Sequence, residues 1–132
     1  METVIRAFVG AINAHDVERI LALCSPDHHF VDAHGNTVVP ERLRAAWTGY
    51  FGFMPRYGIE IEEMLVEGET VALFGFAWGG LAPDGARDWR RPAAWRVRVE
   101  NGRIRLWQVY VDTKIVFDLL QQAQSAVTGP EA

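Results

Sequence analysis

Residues 93–112 read AAWRVRVENGRIRLWQVYVD, and this stretch decides the fold class. On both sides of Asn101-Gly102 an apolar side chain stands at every second position, which is the period of a β-strand with one buried face. Asn-Gly is the pair that best suits a two-residue hairpin, because both positions need positive φ. The stretch therefore predicts two antiparallel strands, 93–100 and 103–112, that share one apolar face.

Two more strands are predicted towards the N-terminus. Residues 59–66 alternate apart from a slip of phase at Glu62-Glu63-Met64, where an extra residue in a β-bulge would restore the pattern. Residues 70–78 follow after Glu67-Gly68-Glu69, a turn. The Gly-, Pro- and Asp-containing segment 79–91 is interpreted as a long loop, a solvated one in the simplest interpretation and a lid in the alternative.

The first half of the chain has helical periodicity instead. Apolar residues recur every three or four positions over 2–14, over 17–24 and over 40–52, as on one face of an amphipathic helix. Asp16 is the expected N-cap of the second helix, Ser25-Pro26 its end, and Pro40 the first residue of the third. Residues 28–34 alternate as a short strand, and Gly35-Asn36 is a turn. Asp112-Thr113 would cap a final helix with Val116, Leu119, Leu120 and Ala123 on one face.

This order of elements predicts an α+β fold, with the helices segregated to one face of an antiparallel or mixed sheet. The chain of 132 residues is about the size of one domain. We expect that domain to span 1–127, with a frayed tail at 128–132.

Composition excludes several classes of function. The net charge of -4 has the wrong sign for a protein that reads phosphates, so nucleic acid is not an expected partner. The sequence has no apolar run of the roughly 18 residues that a membrane span needs, so no membrane partner is expected. Cys24 is the single cysteine and cannot form an internal disulfide, which favours the cytoplasm.

The stretches GAINAHDVERI at 10–20, PDHHFVD at 26–32 and NGRI at 101–104 resemble the nuclear transport factor 2-like superfamily. Its members include ketosteroid isomerases, SnoaL-type polyketide cyclases, scytalone dehydratase and limonene epoxide hydrolase. The resemblance spans about residues 4–122. It implies a cone-shaped sheet curved around three helices, a cystatin-like α+β roll with a C-terminal helix and an apolar cavity. The same fold hosts several chemistries and some proteins without any.

The resemblance also suggests roles for individual residues. Asp32 matches the aspartate that moves a proton between carbons in the isomerases. Phe8 stands where they have a tyrosine that donates to the developing oxyanion, and Trp95 or Ala94 stands in place of their second donor. Trp47 takes the position of a supporting tyrosine. Since loss of one such donor costs on the order of 10²–10³ in rate, steroid isomerisation itself is not expected.

Asp32 and His34 are the predicted catalytic residues: the resemblance points to Asp32, and the strand pattern of 28–34 puts His34 on the same face. A carboxylate desolvated against aromatic rings is a competent general base, and an imidazole two residues away on the same face would orient it or relay protons. The alternative is a solvated acid and histidine beside a glycine turn. His28, Asp32 and His34 are also metal-ligand types, but i and i+4 lie roughly 13 Å apart on a strand, so no metal is expected. Asp112 is a second candidate acid, for which capping the last helix is the preferred interpretation.

The chain has five Trp, seven Phe and three Tyr, and rings of this number must fill the core or surround a cavity. A hydrophobic small-molecule ligand is therefore the expected partner, and no cofactor is implied. The predicted substrate-binding residues are Phe8, Trp47, Phe51, Trp95, Trp107 and Val111. Core packing is the alternative for each of them.

The leading hypothesis is an isomerase or cyclase type of proton transfer on a hydrophobic cyclic molecule. A non-catalytic binding module and a structural dimerisation unit are the alternatives. Epoxide hydrolysis is a weaker alternative. The resemblance to the epoxide hydrolases implies an Asp-Arg-Asp trio in the cavity, whereas Arg96 and Arg98 are expected to point outward. The strand 70–78 is apolar on both faces, so its convex face needs cover. A homodimer packed sheet to sheet is the expected solution, and a loop or last helix folded back over that face is the alternative.

Overall fold

The computed structural model of the protein describes residues 1–81, 85, 88–114, 117, 118, 120 and 121. Within these residues the chain forms helices and strands in the following order, with one 3-10 turn (Pro40–Arg42) before the third helix: α1 (Glu2–Asn13), α2 (Val17–Leu23), β1 (Cys24–Val31), β2 (Thr37–Val38), α3 (Leu43–Phe53), β3 (Gly58–Glu67), β4 (Thr70–Gly79), β5 (Trp89–Glu100) and β6 (Arg103–Val111).

The six strands make one mixed sheet in the order β2-β1-β6-β5-β4-β3. β1 runs parallel to β6, and every other neighbouring pair in this sheet is antiparallel. The sheet is open, with β2 and β3 at its two edges. Helices on one face of a curved mixed sheet confirm the predicted α+β class.

The core lies between the helices and the inner face of the sheet. α1 contributes Ile5, Phe8 and Ile12, each at most 1% exposed, at the spacing of one helical face. The sheet packs against them with buried residues of β4, β5 and β6: Val71, Leu73, Ala77, Trp95, Val97, Ile104 and Trp107. The outer face carries side chains such as Phe74 and Tyr110, which are 41% and 49% exposed.

Two local predictions about the strands are confirmed. Asn101 and Gly102 both have positive φ, at 53° and 74°, as the hairpin requires. The register of β3 against β4 shifts between Ile61 and Glu63, which is the predicted bulge. Gly75 lies across from it, and a Cβ there would overlap the carbonyl oxygen of Glu60. The bulge therefore depends on a glycine in the facing strand.

The predicted boundary between α2 and the first strand is wrong. β1 begins at Cys24, four residues earlier than expected, and it includes Pro26. Proline is tolerated there because the β1–β6 register breaks between Cys24 and His29, so no ladder hydrogen bond is needed from that residue. Asp32 consequently follows the strand instead of lying within it, and its alternation with His28 and His34 does not hold.

The predicted loop 79–91 is also too long. β4 extends to Gly79, and β5 already begins at Trp89, which pairs with it. Asp84 and Arg87 lie outside the described residues, whereas Asp88 is held by two nitrogens of Arg56 at 2.8–3.1 Å.

The C-terminal helix is described in part. Lys114 and the described residues after it have helical backbone, and the amide of Phe117 donates to the carbonyl of Thr113 at 2.8 Å. Of its predicted buried face, Val116, Leu119 and Ala123 lie outside the described residues. The predicted domain end at 127 and the tail 128–132 lie outside them as well.

Candidate functional site

A cavity of about 350 Å³ lies between α3, the hairpin of β1 and β2, and the inner face of β4, β5 and β6. Cavities that hold small molecules are typically of about 300–1,000 Å³. Its apolar lining residues are Phe30, Ala33, Val38, Ala46, Trp47, Ala77, Trp89, Trp107, Val109, Val111, Phe117 and Leu120. Its polar lining residues are Asp32, His34, Tyr50, Tyr57, Asp112 and Thr113.

Burial distinguishes an inner end of this cavity from its mouth. Trp47, Trp89 and Trp107 are each at most 6% exposed, and they form the inner walls. His34 and Asp112 are exposed, and Asp32 is half-buried. The apolar surface is therefore deep, and the carboxylates stand where the cavity meets solvent.

The secondary structure explains why the inner walls are aromatic. Trp47 and Tyr50 project from neighbouring positions on α3 that face the sheet, and Trp107, Val109 and Val111 alternate inward along β6. Trp47 also meets Phe30 edge to face, with ring centroids 5.2 Å apart. Helix and sheet thus present rings to each other across the space they enclose.

Trp89 is a cavity residue that the sequence analysis missed. It faces Gly79 across the β4–β5 pair, and its indole packs closely against that residue: a Cβ on Gly79 would lie 2.8 Å from Cζ2 of the ring. The alternation of the strand could have predicted this position. Trp89 is in phase with Ala93 and Trp95, two buried residues of the same strand. The glycines and prolines of 79–92 obscured it.

Asp32 is held at the mouth of the cavity by a turn that its own carboxylate closes. Oδ1 accepts hydrogen bonds from the amides of His34 and Asn36, both at 2.9 Å. Oδ2 accepts one longer bond of 3.3 Å from the Asn36 side chain. This is an Asx turn, and it fixes the direction of the carboxylate while leaving Oδ2 the less occupied oxygen. His34 contributes its amide to this turn, and its side chain is exposed.

Asp112 lies at the same mouth, and one contact of its carboxylate supports the capping interpretation. Its Oδ1 accepts a hydrogen bond of 3.0 Å from the amide of Lys114, as a residue at the start of a helix does. Because it also lines the cavity, the two carboxylates Asp32 and Asp112 frame one opening.

The six residues predicted to bind substrate fall into two groups. Trp47, Trp107 and Val111 are at the cavity surface. Phe8, Phe51 and Trp95 are buried one layer behind it: Phe8 and Trp95 pack on Trp107, with ring centroids 4.7 and 6.2 Å away, and Phe51 stacks on His15 at 4.0 Å. Contact with a ligand stays a prediction for the first group. The position of the second group supports core packing, the alternative given above.

The described residues hold no cluster of three or more His, Cys, Asp and Glu side chains suited to a metal ion. His28 is 0% exposed in the core, where Nδ1–H donates to the carbonyl of Ile104 at 2.7 Å. It is thus separated by burial from Asp32 and His34 at the cavity mouth.

The comparison with protein families agrees with this architecture. Residues 5–107 match the SnoaL-like domain. The chain belongs to the SnoaL-like domain family. No curated protein matches it. None of the helices in the described part of this SnoaL-like protein is long and apolar enough to cross a membrane, and a cytoplasmic location stays a prediction.

Solved structures share the fold at low sequence identity. A SnoaL-like polyketide cyclase candidate from Shewanella denitrificans has a TM-score of 0.75 at 15% identity, over 92% of this chain and 96% of that one. A polyketide cyclase candidate from Streptomyces antibioticus has a TM-score of 0.73 at 20% identity, over 91% and 97%. A Catenulispora acidiphila protein with a ketosteroid isomerase-like fold, in complex with trimethylamine, has a TM-score of 0.73 at 18% identity, over 81% and 83%. These likenesses show the fold.

Proposed function

We propose that this SnoaL-like protein binds an apolar cyclic molecule in its cavity and that Asp32 moves a proton on it. The observation that carries the proposal is an enclosed apolar space whose mouth holds an oriented carboxylate. Structures of the same fold described as polyketide cyclase candidates or ketosteroid isomerase-like support a substrate of this kind. No cofactor is part of the proposal.

In this mechanism Oδ2 of Asp32 takes a proton from a carbon that lies between a carbonyl group and a C=C bond. The electron pair of that C–H bond forms a C=C bond to the carbonyl carbon, and the π pair of the carbonyl moves onto its oxygen. Oδ2 of Asp32 then returns the proton to the far carbon of the original C=C bond as the carbonyl group forms again, so the double bond has moved by one position. The two amides on Oδ1 keep the carboxylate in place through both steps, so little reorientation is needed. His34, exposed beside it, is positioned to exchange protons with solvent.

The alternative function is binding without chemistry. The Asx turn accounts for Asp32 without a catalytic role, and Phe8 provides no donor for an oxyanion. The two functions differ in what Asp32→Asn does. An asparagine Oδ1 keeps both amide hydrogen bonds of the turn but cannot take the proton.

The experiment has two stages. Native mass spectrometry of the protein purified from its own source identifies any co-purifying small molecule. Proton exchange from that molecule into D₂O, catalysed by the protein, is then followed by NMR. We expect Asp32→Asn to abolish the exchange and to retain binding, and Asp112→Asn, at the same mouth, to retain both. Exchange at an unchanged rate in Asp32→Asn would show that Asp32 is not the base. Binding without exchange in the wild type would refute catalysis and support the alternative, a non-catalytic binding module.

We also propose a homodimer through the outer face of the sheet. Phe74, Phe76 and Trp78 alternate outward along β4 and are only partly buried. Tyr110 continues this surface on β6, while Arg90 lies over the ring of Phe76 at 3.9 Å. A patch with rings in its centre and arginine at its rim has the composition of an interface.

Analytical ultracentrifugation tests the proposed dimer. We expect the wild type to sediment as a dimer. Phe76→Glu should dissociate this dimer, whereas Thr3→Glu, a change on the exposed surface of α1, should not. A monomeric wild type would refute the dimer.

A further inference from the structure

Two tyrosines at one wall of the cavity have hydroxyl groups that nothing in the described protein uses. Tyr50 lies on α3 and Tyr57 lies just after it, and both line the cavity. Their rings meet edge to face, with centroids 5.0 Å apart and planes at 89°. Both side chains are half-buried, and no hydrogen bond of either hydroxyl occurs among the described residues, so each hydroxyl is available to a ligand in the cavity.

The surroundings keep both phenols protonated. Burial raises the pKa of Tyr50 to about 12. It raises the pKa of Tyr57 further, and the neighbouring Tyr50 adds to the effect. Both groups are therefore neutral O–H donors at any physiological pH, and their rings are in contact.

The backbone of Tyr57 is fixed in place by residues at the end of α1. His15 donates from Nε2 to the carbonyl of Tyr57 at 2.7 Å. Asn13 bonds both the amide and the carbonyl of Ile59, at 2.8 and 3.0 Å. The amide of Tyr57 itself donates to the carbonyl of Met54 at 3.0 Å. A phenol carried on a segment held this way needs little reorganisation to bind a ligand.

The polar groups make the two ends of the cavity chemically different. The indole N–H groups of Trp47 and Trp89 have no acceptor in the described ranges, but both nitrogens are closed off from the cavity space, so the two tyrosines carry the donors that a ligand can use. The carboxylate acceptors Asp32 and Asp112 are at the mouth. A ligand that satisfies both ends carries an acceptor oxygen inside and a transferable hydrogen near the mouth.

We propose that Tyr50 and Tyr57 form a donor pair that binds one carbonyl oxygen of the ligand and selects carbonyl compounds over hydrocarbons of the same shape. The inference rests on the proposed function, because it uses the same cavity. It adds the donors that Phe8 and Trp95 do not supply. In the proton transfer described above, the oxygen held by this pair is the atom that receives the electron pair.

Two probes of similar apolar shape test the donor pair: naphthalene, which has no acceptor, and 2-acetonaphthone, which has one carbonyl. Quenching of the tryptophans in the cavity wall reports the binding of each. The variants are Tyr50→Phe, Tyr57→Phe and the double variant. Tyr110→Phe is the matched control, since it removes a phenol hydroxyl from the outer face of the sheet.

We expect the ratio of ketone affinity to hydrocarbon affinity to fall roughly two- to tenfold in each cavity variant, while naphthalene binding and urea stability stay unchanged. The carbonyl stretch of the bound ketone should move to higher frequency in the double variant. Tyr110→Phe should change neither quantity.

The outcomes distinguish a failure of the donor-pair proposal from a failure of the proposed function. An affinity ratio and a carbonyl frequency that are the same in wild type and double variant would overturn the donor pair and leave the cavity standing. Failure of the wild type to bind either probe would overturn both the donor pair and the proposed function. A loss of stability in the Tyr→Phe variants would show that the hydroxyls serve the fold, which also contradicts the proposal.

Discussion

His28 is an imidazole buried in the core, and its replacement should change how stability depends on pH. The side chain is 0% exposed, and Nδ1–H donates to the carbonyl of Ile104. That carbonyl lies where the β1–β6 register shifts, so the imidazole supplies a hydrogen bond that the ladder lacks. Nε2 has no partner among the described residues. Protonation there would place a second N–H, and a charge, in the core without an acceptor.

The sign and the size of the effect follow from this geometry. Removal from water lowers the pKa of His28 from 6.5, against the opposing effect of the Ile104 carbonyl; His29 lowers it further and Asp27 raises it. The contribution to stability is therefore complete above about pH 6.5 and is lost as the pH falls towards the folded-state value. Because one proton is involved, the slope due to His28 cannot exceed about 1.4 kcal/mol per pH unit.

The assay is urea unfolding of wild type and His28→Leu between about pH 7.5 and pH 5, with His29→Leu, an exposed histidine of the same strand, as control. At neutral pH His28→Leu should cost about 1–3 kcal/mol, since it leaves the Ile104 carbonyl without its donor. The difference from wild type should narrow as the pH falls, while His29→Leu follows the wild type. Should His28→Leu not fold, His28→Asn keeps a donor and loses the titration. A difference that is constant with pH would refute the reasoning.

Two other substitution sites and the single thiol give further predictions. Gly75→Ala should remove most of the free energy of unfolding, because its Cβ would overlap the carbonyl of Glu60. Gly49→Ala has open space around it on α3 and should raise the free energy of unfolding by up to about 1 kcal/mol. Urea unfolding monitored by circular dichroism measures both changes. Burial raises the pKa of the Cys24 thiol to about 12, so an aromatic disulfide reagent at about pH 8 should react at the rate of opening of the protein. Full reaction at the rate of a free thiol would contradict the burial.

The parts of the fold that the sequence predicts are those decided by neighbours in the chain. The Asn101-Gly102 hairpin and the bulge near Glu62 each leave a local mark, a turn pair in one case and a change of phase in the other. The start of β1 at Cys24 depends on pairing with β6, some 80 residues away. A proline inside a strand argues locally against that strand, and only the irregular register of this long-range pair makes it acceptable.

The candidate site was predictable to the same extent. Asp32, Trp47 and Trp107 were found because the family resemblance or the strand period pointed to them. Tyr50 and Tyr57 give no comparable signal, since a tyrosine at the end of a helix is ordinary in sequence. Their significance comes from two rings that meet at one wall of the cavity, and this depends on how Asn13 and His15 hold the segment after α3.

Two glycine–tryptophan pairs across neighbouring strands explain both the cavity wall and the outer apolar patch. Gly58 faces Trp78 across β3 and β4, and Gly79 faces Trp89 across β4 and β5. In each pair the indole covers the glycine backbone, since a Cβ would lie 2.5 Å from the ring of Trp78 and 2.8 Å from that of Trp89. Because Trp78 and Gly79 are consecutive, their pairs lie on opposite faces of the sheet. One indole therefore builds the cavity wall, and the other builds the surface on which we place the dimer contact. Neither pair can be recognised before the register of three strands is known, which is why both functional surfaces are clearer in the structure than in the sequence.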